Sequence, residues 1–303
     1  MALVRMLNPG QPRDQDPCTL AFGGSESNVA VGLARLGHRV RWISALGEDS
    51  FGDMIVAVLE SEGVEVRAAR SEKFPTGLMV KSPSLGDERF VSYYRAGSAA
   101  ANMSPEMFSK EMIADARLLH VTGITPALSE SARESLEAVL DFASQTNITV
   151  SLDLNYRPAL WSSESASNTF KEIISSVDMV FGDRLELSML IDASSSSAED
   201  LLKSIQELGV ADVIMKQGSE GAIALCGDQL FHQAAVPVEV IDTVGAGDAF
   251  VAGYLSSLLD GESPELRLER AVLCGASACL DPGDWEGSPT RKELTAIGRR
   301  MGQ

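Results

Sequence analysis

Histidine, cysteine and positive charge are all scarce in this sequence of 303 residues, and each shortage excludes a class of protein. The three histidines and four cysteines lack the close spacing of zinc sites or disulfide scaffolds, so neither is predicted. Lysine and arginine total 25 against 43 acidic residues, and a formal charge of −18 disfavours nucleic acid and anionic membranes as partners. No apolar run reaches the roughly 18 residues of a membrane span, and no secretion signal opens the chain. We therefore expect a cytoplasmic protein with reduced thiols.

Apolar residues are plentiful, at 45% of the chain, which is enough for one large α/β domain. No repeat, proline-rich linker or block of charge divides the sequence. Residues 1–303 are therefore predicted to form a single domain. The serine run at 194–197 is predicted to cap a helix that starts near Ala198.

A small-residue turn late in the chain has the character of an anion site. The β-branched run from Val236 to Ile241 predicts a strand before it, and Ala249 to Leu259 has the apolar spacing of a helix after it. Asp248 lies at the helix start, where a carboxylate would repel phosphate unless it accepts the proton of an attacking hydroxyl. An ordinary N-capping aspartate is the alternative. The backbone amides that would point at the anion belong to Gly245, Ala246 and Gly247.

A second glycine-rich segment opens a helix near the start of the chain. Gly23 and Gly24 would let a ligand lie against bare backbone, and Asn28 would offer its amide to a hydroxyl group. The helix is predicted to run to Leu36 and to stop at Gly37. A simple loop and helix without a ligand is the alternative.

These two segments together resemble the signatures of the ribokinase/PfkB carbohydrate kinases. The similarity lies in GGSESNVAVGLARLG and in DTVGAGDAFVAGYL, and it extends over residues 23–294. The resemblance implies a ribokinase-like three-layer α/β/α sandwich with a small β-sheet lid. It implies ATP and Mg²⁺ as cofactors, and it leaves open a requirement for a monovalent cation. It makes Asp248 the catalytic base and the Gly245–Gly247 amides its anion hole.

Three segments before residue 100 predict strands with no helix between them: Glu65 to Ala69, Gly77 to Ser82 and Glu88 to Tyr94. Because parallel strands need crossover connections, these segments predict an antiparallel lid within about residues 65–100. Strand edges that are exposed readily pair with another chain. We therefore expect a homo-oligomer formed through the lid.

The lid carries the clue to the substrate. Tyr93 and Arg95 stand two residues apart on a strand and point to the same face, where a guanidinium suits a carboxylate. A packed edge strand is the alternative. The segments YYRAGSAA and DLNYRPALW resemble the 2-keto-3-deoxygluconate kinases within the family, whose substrate is a sugar acid. By this resemblance the substrate-binding residues are Gly24, Asn28, Tyr93, Arg95, Arg157 and Asp284.

Two further segments resemble parts of the family's nucleotide-binding site. Asp183 stands where the family has an asparagine that serves the nucleotide phosphates, and Glu186 matches a glutamate that holds Mg²⁺ through water. The segment KQGSEGA resembles the turn that approaches ATP, which implies nucleotide contacts from Lys216, Gly218 and Gly221. Gly245 and Gly247 would also contact the nucleotide.

The start of this sequence differs from the family pattern in its first strand. Met1 to Met6 predicts the tail of a strand, followed by a polar loop through Pro17. In the family a full apolar strand precedes this point, so the strand is shorter here by about ten residues, and we expect a groove with unpaired backbone groups in the sheet.

Three other functions compete with a sugar-acid kinase. One is a fructokinase- or ribokinase-like kinase of a neutral sugar, and another is a non-catalytic homologue that binds sugar or nucleotide. A dinucleotide-binding oxidoreductase is disfavoured, because no GxGxxG motif follows a first strand.

Overall fold

The computed structural model describes residues 1–85, 88–191 and 197–301. The strands are β1 (Ala2–Met6), β2 (Cys18–Phe22), β3 (Val40–Gly47), β4 (Val64–Ser71), β5 (Leu78–Leu85), β6 (Glu88–Tyr94), β7 (Leu118–Thr122), β8 (Thr149–Asp153), β9 (Met179–Gly182), β10 (Asp212–Lys216), β11 (Ala222–Cys226) and β12 (Gln229–Gln233). The helices are α1 (Ser25–Arg35), α2 (Ser50–Ser61), α3 (Ile124–Leu128), α4 (Glu130–Gln145), α5 (Ser163–Ile173), α6 (Arg184–Ser188), α7 (Ala198–Gln206), α8 (Ala246–Leu259), α9 (Pro264–Ala278) and α10 (Arg291–Met301).

The main sheet has six strands in the order β12-β11-β10-β9-β8-β7. Strands β7 to β10 run parallel, and β11 and β12 add an antiparallel hairpin at one edge. Helices α4, α5 and α7 bury their apolar residues on one face of this sheet, while α1, α8 and α9 cover the other. The predicted three-layer α/β/α sandwich is confirmed.

The predicted lid is present but has a different membership. It is a four-stranded sheet in the order β2-β1-β5-β6, so the first strand of the chain belongs to it. The prediction that Glu65 to Ala69 lies in the lid is wrong, because that segment is part of β4 and pairs in parallel with β3. Helix α2 precedes β4 and supplies the crossover that parallel pairing requires.

The predicted groove is also present. Within the described residues, β3 pairs with β4 alone and β7 pairs with β8 alone. A cleft of about 680 Å³ separates β3 from β7. The sheet is therefore interrupted between these two strands.

Smaller predictions had mixed outcomes. The strand predicted for residues 236–241 is wrong: this segment is irregular, and Ile241 donates its N–H to the Cys279 carbonyl at 2.8 Å rather than to a neighbouring strand. Ser197 caps α7 as expected, whereas residues 194–196 of the serine run lie outside the described part of the chain. The four cysteines are unpaired thiols. None of the described helices combines the length and apolar content that crossing a bilayer requires.

Candidate active site

The turn before α8 places Asp248 in a buried position at the start of that helix. Gly245 has a φ of 74°, and a Cβ there would overlap the carbonyl group of Asp284. Only glycine allows the chain to turn at this point. Asp248 follows in the first helical turn and is 8% exposed.

Helix α1 holds the Asp248 carboxylate from the opposite side. Ser25 Oγ donates to Oδ1 at 2.6 Å, and Asn28 Nδ2 donates to Oδ2 at 2.7 Å. Asn155 Nδ2 donates to Ser25 Oγ at 2.8 Å, so the single hydroxyl hydrogen of Ser25 is directed at Asp248. Burial raises the pKa of Asp248 to about 6, although the two donors lower it. The carboxylate is thus a stronger base than an exposed aspartate.

Three buried oxygens near Asp248 have no protein hydrogen-bond partner among the described residues. They are Oδ1 atoms of Asn28, Asn155 and Asp284. Asp284 packs against the turn at Gly245, and burial raises its pKa to about 6. Buried acceptors normally have donors, so this trio favours a ligand with several hydroxyl groups.

The predicted anion hole lies at the start of α8. Within the described part of the chain, no protein acceptor takes the N–H groups of Gly245 and Gly247. The Ala246 N–H donates to the Thr243 carbonyl over a long 3.3 Å. Two of the three predicted amides are therefore available to an anion.

Lys216 is the last residue of β10, and its side chain lies close to this turn. Its Nζ donates to both carboxylate oxygens of Asp153, at 2.7 and 2.8 Å. A Cβ on Gly247 would lie 3.9 Å from the same Nζ. Burial alone would lower the pKa of Lys216, but the carboxylates of Asp153 and Glu186 raise it above its usual value. Lys216 is thus a partly buried ammonium that stays charged close to the predicted anion hole.

Glu186 and Asp183 form a capping box at the start of α6. Asp183 Oδ1 accepts the Glu186 N–H and Glu186 Oε2 accepts the Asp183 N–H, each at 2.8 Å. Glu186 Oε1 also accepts the Tyr156 N–H at 2.8 Å. Burial raises the pKa of Glu186. Asp183 itself is exposed.

The fit of these carboxylates to a metal ion is limited to contact through water. Each Glu186 oxygen keeps acceptor capacity after its backbone hydrogen bond, and carboxylate oxygens suit hydrated Mg²⁺. No group of three or more ligating side chains occurs among the described residues. A hydrated ion beside Glu186 fits this arrangement.

The two glycines of the KQGSEGA turn have different surroundings. Gly221 has a φ of 105°, and a Cβ there would overlap the Gln233 carbonyl, so this glycine serves the close approach of β12. Gly218 has a φ of 56° and is exposed, with open space where its Cβ would be. Gly218 is therefore the more accessible of the two to a nucleotide.

The substrate residues predicted in the lid lie near the end of β6, Tyr93 within the strand and Arg95 just after it. The Arg95 guanidinium stacks over the Tyr93 ring at 4.5 Å from its centroid, and Tyr93 is 47% exposed. Burial lowers the pKa of Arg95, and the nearby positive charge of Arg157 adds to this effect. Within the described residues, neither guanidinium has a carboxylate partner. The positive charges of Arg95 and Arg157 therefore act on each other, and Glu26 is a nearby negative charge that acts on Arg95 without an ion pair among the described residues.

Two glycines and a lid ion pair complete the surroundings. Gly24 precedes α1, and its carbonyl accepts the Asn28 N–H at 2.8 Å. A Cβ on Gly23 would overlap the Asp284 carboxylate. Lys81 of β5 pairs with Asp242 at 2.6 Å, which connects the lid to the turn that precedes α8.

The site has two ends. After the roles proposed for them below, we call the mostly buried group of Ser25, Asn28, Asp153, Asn155, Lys216 and Asp248 the transfer end, and the group of Tyr93, Arg95 and Arg157 the recognition end. Asp153 and Asn155 lie at the carboxyl end of β8, where open α/β sheets place ligands; this sequence signal indicates a ligand-binding position but assigns neither residue a role. Sequence reasoning missed Ser25, which nothing in the sequence distinguishes.

Comparison with known proteins places the chain among kinases. The model of the pfkB family carbohydrate kinases matches residues 5–291. A 2-dehydro-3-deoxygluconokinase of Bacillus subtilis is 36% identical over 91% of this chain and 86% of its own length. Another 2-dehydro-3-deoxygluconokinase, of Thermoproteus tenax, is 33% identical over 90% of this chain and 84% of its own length.

Solved structures agree with this placement. A PfkB protein from Polaromonas sp. JS666 is 32% identical, with a TM-score of 0.87 over 98% of this chain and 96% of that one. A 2-dehydro-3-deoxygluconokinase from Thermotoga maritima is 25% identical, with a TM-score of 0.89 over 98% and 96%. The family match, the three-layer fold and these similarities establish that the chain belongs to the pfkB family of carbohydrate kinases.

Proposed function

We propose that this carbohydrate kinase transfers the γ-phosphoryl group of ATP to a sugar acid, with 2-keto-3-deoxygluconate converted to its 6-phosphate. The observation that carries the proposal is the pair of arginines at the recognition end, Arg95 and Arg157, which have no carboxylate partner among the described residues. A guanidinium fork matches a carboxylate, whereas a neutral sugar has no use for one. The names of the two relatives above support the same substrate class.

Asp248 acts as the general base in this proposal. It accepts the proton of the terminal hydroxyl while that oxygen forms a bond to the γ-phosphorus, and the bond from phosphorus to the bridging oxygen of ADP breaks. With a pKa of about 6 the carboxylate is ionised at neutral pH and still basic enough to take the proton. The N–H groups of Gly245 and Gly247 stabilise the charge on the phosphoryl oxygens.

The nucleotide lies along the ends of β9 and β10 in this proposal. Lys216, Gly218 and Gly221 border it, together with Asp183, and the turn at Gly245 and Gly247 receives its terminal phosphate. Mg²⁺, when bound, neutralises phosphate charge, and Glu186 would hold its hydration shell. Lid closure over the sugar excludes water and limits wasteful hydrolysis of ATP.

The sugar acid lies between Asp248 and the lid. Its hydroxyl groups donate to the free oxygens of Asn28 and Asp284, and its chain passes over the backbone at Gly24. Its carboxylate binds Arg95 and Arg157, with the Tyr93 hydroxyl beside it. Asn28 therefore has two tasks, because its Nδ2 already contacts the base.

A substrate panel tests the proposal directly. ADP release is measured with 2-keto-3-deoxygluconate, its galactonate isomer, fructose and ribose, each with Mg²⁺ and ATP. We expect kcat/KM for the two sugar acids to exceed that for the neutral sugars by about 10²-fold or more, as expected for a lost bidentate charge pair. Preference for fructose or ribose would identify a neutral-sugar kinase, and ligand binding without any ADP release would identify a non-catalytic homologue.

We also propose that the enzyme is a cytoplasmic homo-oligomer that associates through the lid. ATP as substrate and four unpaired thiols favour the cytoplasm. Val91, Tyr93 and Tyr94 are exposed on the edge strand β6, which suits pairing with a second lid. Sedimentation velocity tests the association, and activity with and without added K⁺ tests the need for a monovalent cation.

A further inference from the structure

The segment that carries Asp284 has an irregular backbone. It comprises residues 282–288, here called the Asp284 loop, and lies between α9 and α10. The buried Asp284 carboxylate packs against the backbone of Gly23, and the Asp284 carbonyl packs against Gly245 in the turn before α8. Because the backbone groups of an irregular segment need hydrogen-bond partners from elsewhere, the position of Asp284 depends on the side chains that hold this loop.

Arg35, the last residue of α1, holds the Asp284 loop from outside. Its Nη1 donates to the Ser288 carbonyl at 2.7 Å and to the Glu286 carbonyl at 2.9 Å, and it lies 3.5 Å from the Trp285 carbonyl. The guanidinium also lies over the Trp285 ring, 5.0 Å from its centroid, which adds a cation–π contact. One side chain therefore contacts three residues of the loop.

Glu62, which follows α2, fixes the plane of this guanidinium. Its Oε2 accepts a hydrogen bond from Arg35 Nε at 2.7 Å, and its Oε1 accepts one from Nη2 at 3.1 Å. This bidentate pair leaves Nη1 directed at the Asp284 loop. Both side chains are partly buried. A lysine at position 35 would have no planar fork, so it could not pair with Glu62 in this way and reach the same carbonyls.

Hydrogen bonds within the loop connect the residues that Arg35 contacts to Asp284 itself. Glu286 Oε2 accepts the N–H groups of Asp284 and Trp285, at 2.9 and 3.1 Å, and Glu286 Oε1 pairs with Arg5 of the lid at 2.5 Å. The Trp285 ring stacks on Phe22 at 5.1 Å between centroids, and its Nε1 donates to the Phe22 carbonyl at 3.2 Å. A displacement of Trp285 or Glu286 would therefore displace Asp284.

Helix α1 contacts both ends of this arrangement. Ser25 and Asn28 in its first turn donate to the Asp248 carboxylate, and Arg35 at its last position holds the Asp284 loop. Its 11 residues form a rod of about 16 Å. The helix therefore fixes where Asp284 lies relative to Asp248.

We propose that Arg35 is a positioning residue for phosphoryl transfer, which holds Asp284 where it binds the sugar while the acceptor hydroxyl lies at Asp248. This role rests on the proposed function, in which Asp284 accepts a hydrogen bond from the substrate. Arg35 contacts no ligand and acts through the Asp284 loop. Loss of its contacts weakens sugar binding, whereas Lys216 and the predicted anion hole, and with them ATP binding, are unaffected.

A double-mutant cycle tests this role. ADP release by Arg35→Lys, Asp284→Ala and the double variant is measured while 2-keto-3-deoxygluconate and ATP are varied in turn, and Tm is recorded for each. Asp284→Ala should raise KM for the sugar acid about 10-fold or more, and Arg35→Lys about 3- to 10-fold, with KM for ATP unchanged. The double variant should have the KM of Asp284→Ala alone, because the position of the loop ceases to matter once the carboxylate is gone.

Arg291→Lys is the matched control. It makes the same chemical change at the same end of α1, and the hydrogen bonds of Arg291 in the described part of the chain go to the Leu36 carbonyl and to Asp260, not to the Asp284 loop. Both KM values of this variant should equal those of the parent. An equal rise in KM for the sugar acid in both lysine variants would mean that the end of α1 is merely destabilised, and the positioning role would be wrong.

Other outcomes separate this role from the proposed function. If KM for the sugar acid rises in Asp284→Ala but not in Arg35→Lys, even with a lower Tm, Arg35 only stabilises the fold and the proposed function stands. Additive effects in the double variant would also contradict a route through Asp284. An unchanged KM in Asp284→Ala would contradict the proposed sugar contact, and the role of Arg35 would fall with it. If Arg35→Lys does not fold, Glu62→Gln replaces it in the cycle, with a smaller rise that Asp284→Ala must again abolish.

Discussion

The transfer end and the recognition end of the site differ in how completely their side chains are satisfied. At the transfer end, Asp248 is buried and receives two hydrogen bonds, and Lys216 is held by both oxygens of Asp153. At the recognition end, Tyr93 is about half exposed, and Arg95 rests on its ring rather than on a carboxylate. The side chains of the transfer end are therefore held in place without a ligand. At the recognition end, the positive charge of Arg95 forms no ion pair within the described residues.

This difference corresponds to two kinds of work. Charge that develops during phosphoryl transfer is best stabilised by groups that need not move, because reorganisation would add to the barrier. Selecting an anion instead needs charges whose partner is the ligand itself, since an arginine already paired with a protein carboxylate would gain little. Variants at the transfer end should therefore change kcat, and variants at the recognition end should change KM.

The largest expected effect comes from Asp248→Asn. The amide cannot accept the hydroxyl proton, so kcat should fall by the ~10²–10⁴-fold typical of a lost general base, with little change in KM. Steady-state ADP release measures both constants. Asp228→Asn makes the same chemical change in the exposed turn between β11 and β12 and should leave kcat unaltered. Turnover of Asp248→Asn close to that of the parent would remove this residue from the role of base.

The next largest effect is expected from Arg95→Ala. Hydrogen bonds to charged groups contribute about 1.5–3 kcal/mol, so KM for a sugar acid should rise roughly 10- to 100-fold while kcat changes little. KM for fructose or ribose should change far less. Arg95→Lys, which keeps the charge but loses the fork, should lie between the two. An equal rise for acids and neutral sugars would break the division between the two ends.

The smallest change in rate is expected from Ser25→Ala. This variant should also shift the pH profile, which makes it the most specific test. The carboxylate of Asp248 must be ionised to act, so kcat/KM should fall as the pH drops below about 6. Ser25 donates to the ionised form and lowers this pKa, so its removal should move the acid limb to higher pH. At neutral pH the rate should fall ~2- to 10-fold, the worth of one hydrogen bond.

Ser27→Ala is the matched control for this shift. Ser27 lies on the same helix, but its hydroxyl donates to the Gly24 carbonyl and not to Asp248. The pH profile of this variant should coincide with that of the parent. A shift of the same size in both variants would mean that the substitutions act by destabilising helix α1. If the acid limb of the pH profile does not move in Ser25→Ala, the orienting role of Ser25 is contradicted.

The wrong predictions concern which strands lie next to each other in the fold. The segment from Glu65 to Ala69 was correctly predicted as a strand but assigned to the lid, because sequence alone did not reveal its parallel partner β3. The valines and isoleucine of 236–241 have strand propensity, yet none of the described strands pairs with them, and Val240 and Ile241 are exposed. Strand propensity depends on what packs and pairs alongside.

Asn28 shows the same limit at the site. Its proximity to a ligand was expected from the glycine-rich segment, but its hydrogen bond to Asp248 joins residues that are 220 positions apart. Ser25 and Asn155 meet across 130 positions to direct one hydroxyl hydrogen. No local pattern encodes such a contact.

The sequence by itself determined the helix-start turn, its Asp248, the α/β character of the chain and the kinase family, because these depend on local backbone geometry and short motifs. Only the tertiary structure decided which side chains contact Asp248, which sheet each strand joins, and that β3 and β7 are the strands that border the cleft. The reason is physical: burial and strand pairing are set by partners distant in the chain, and their positions exist only once the layers have packed.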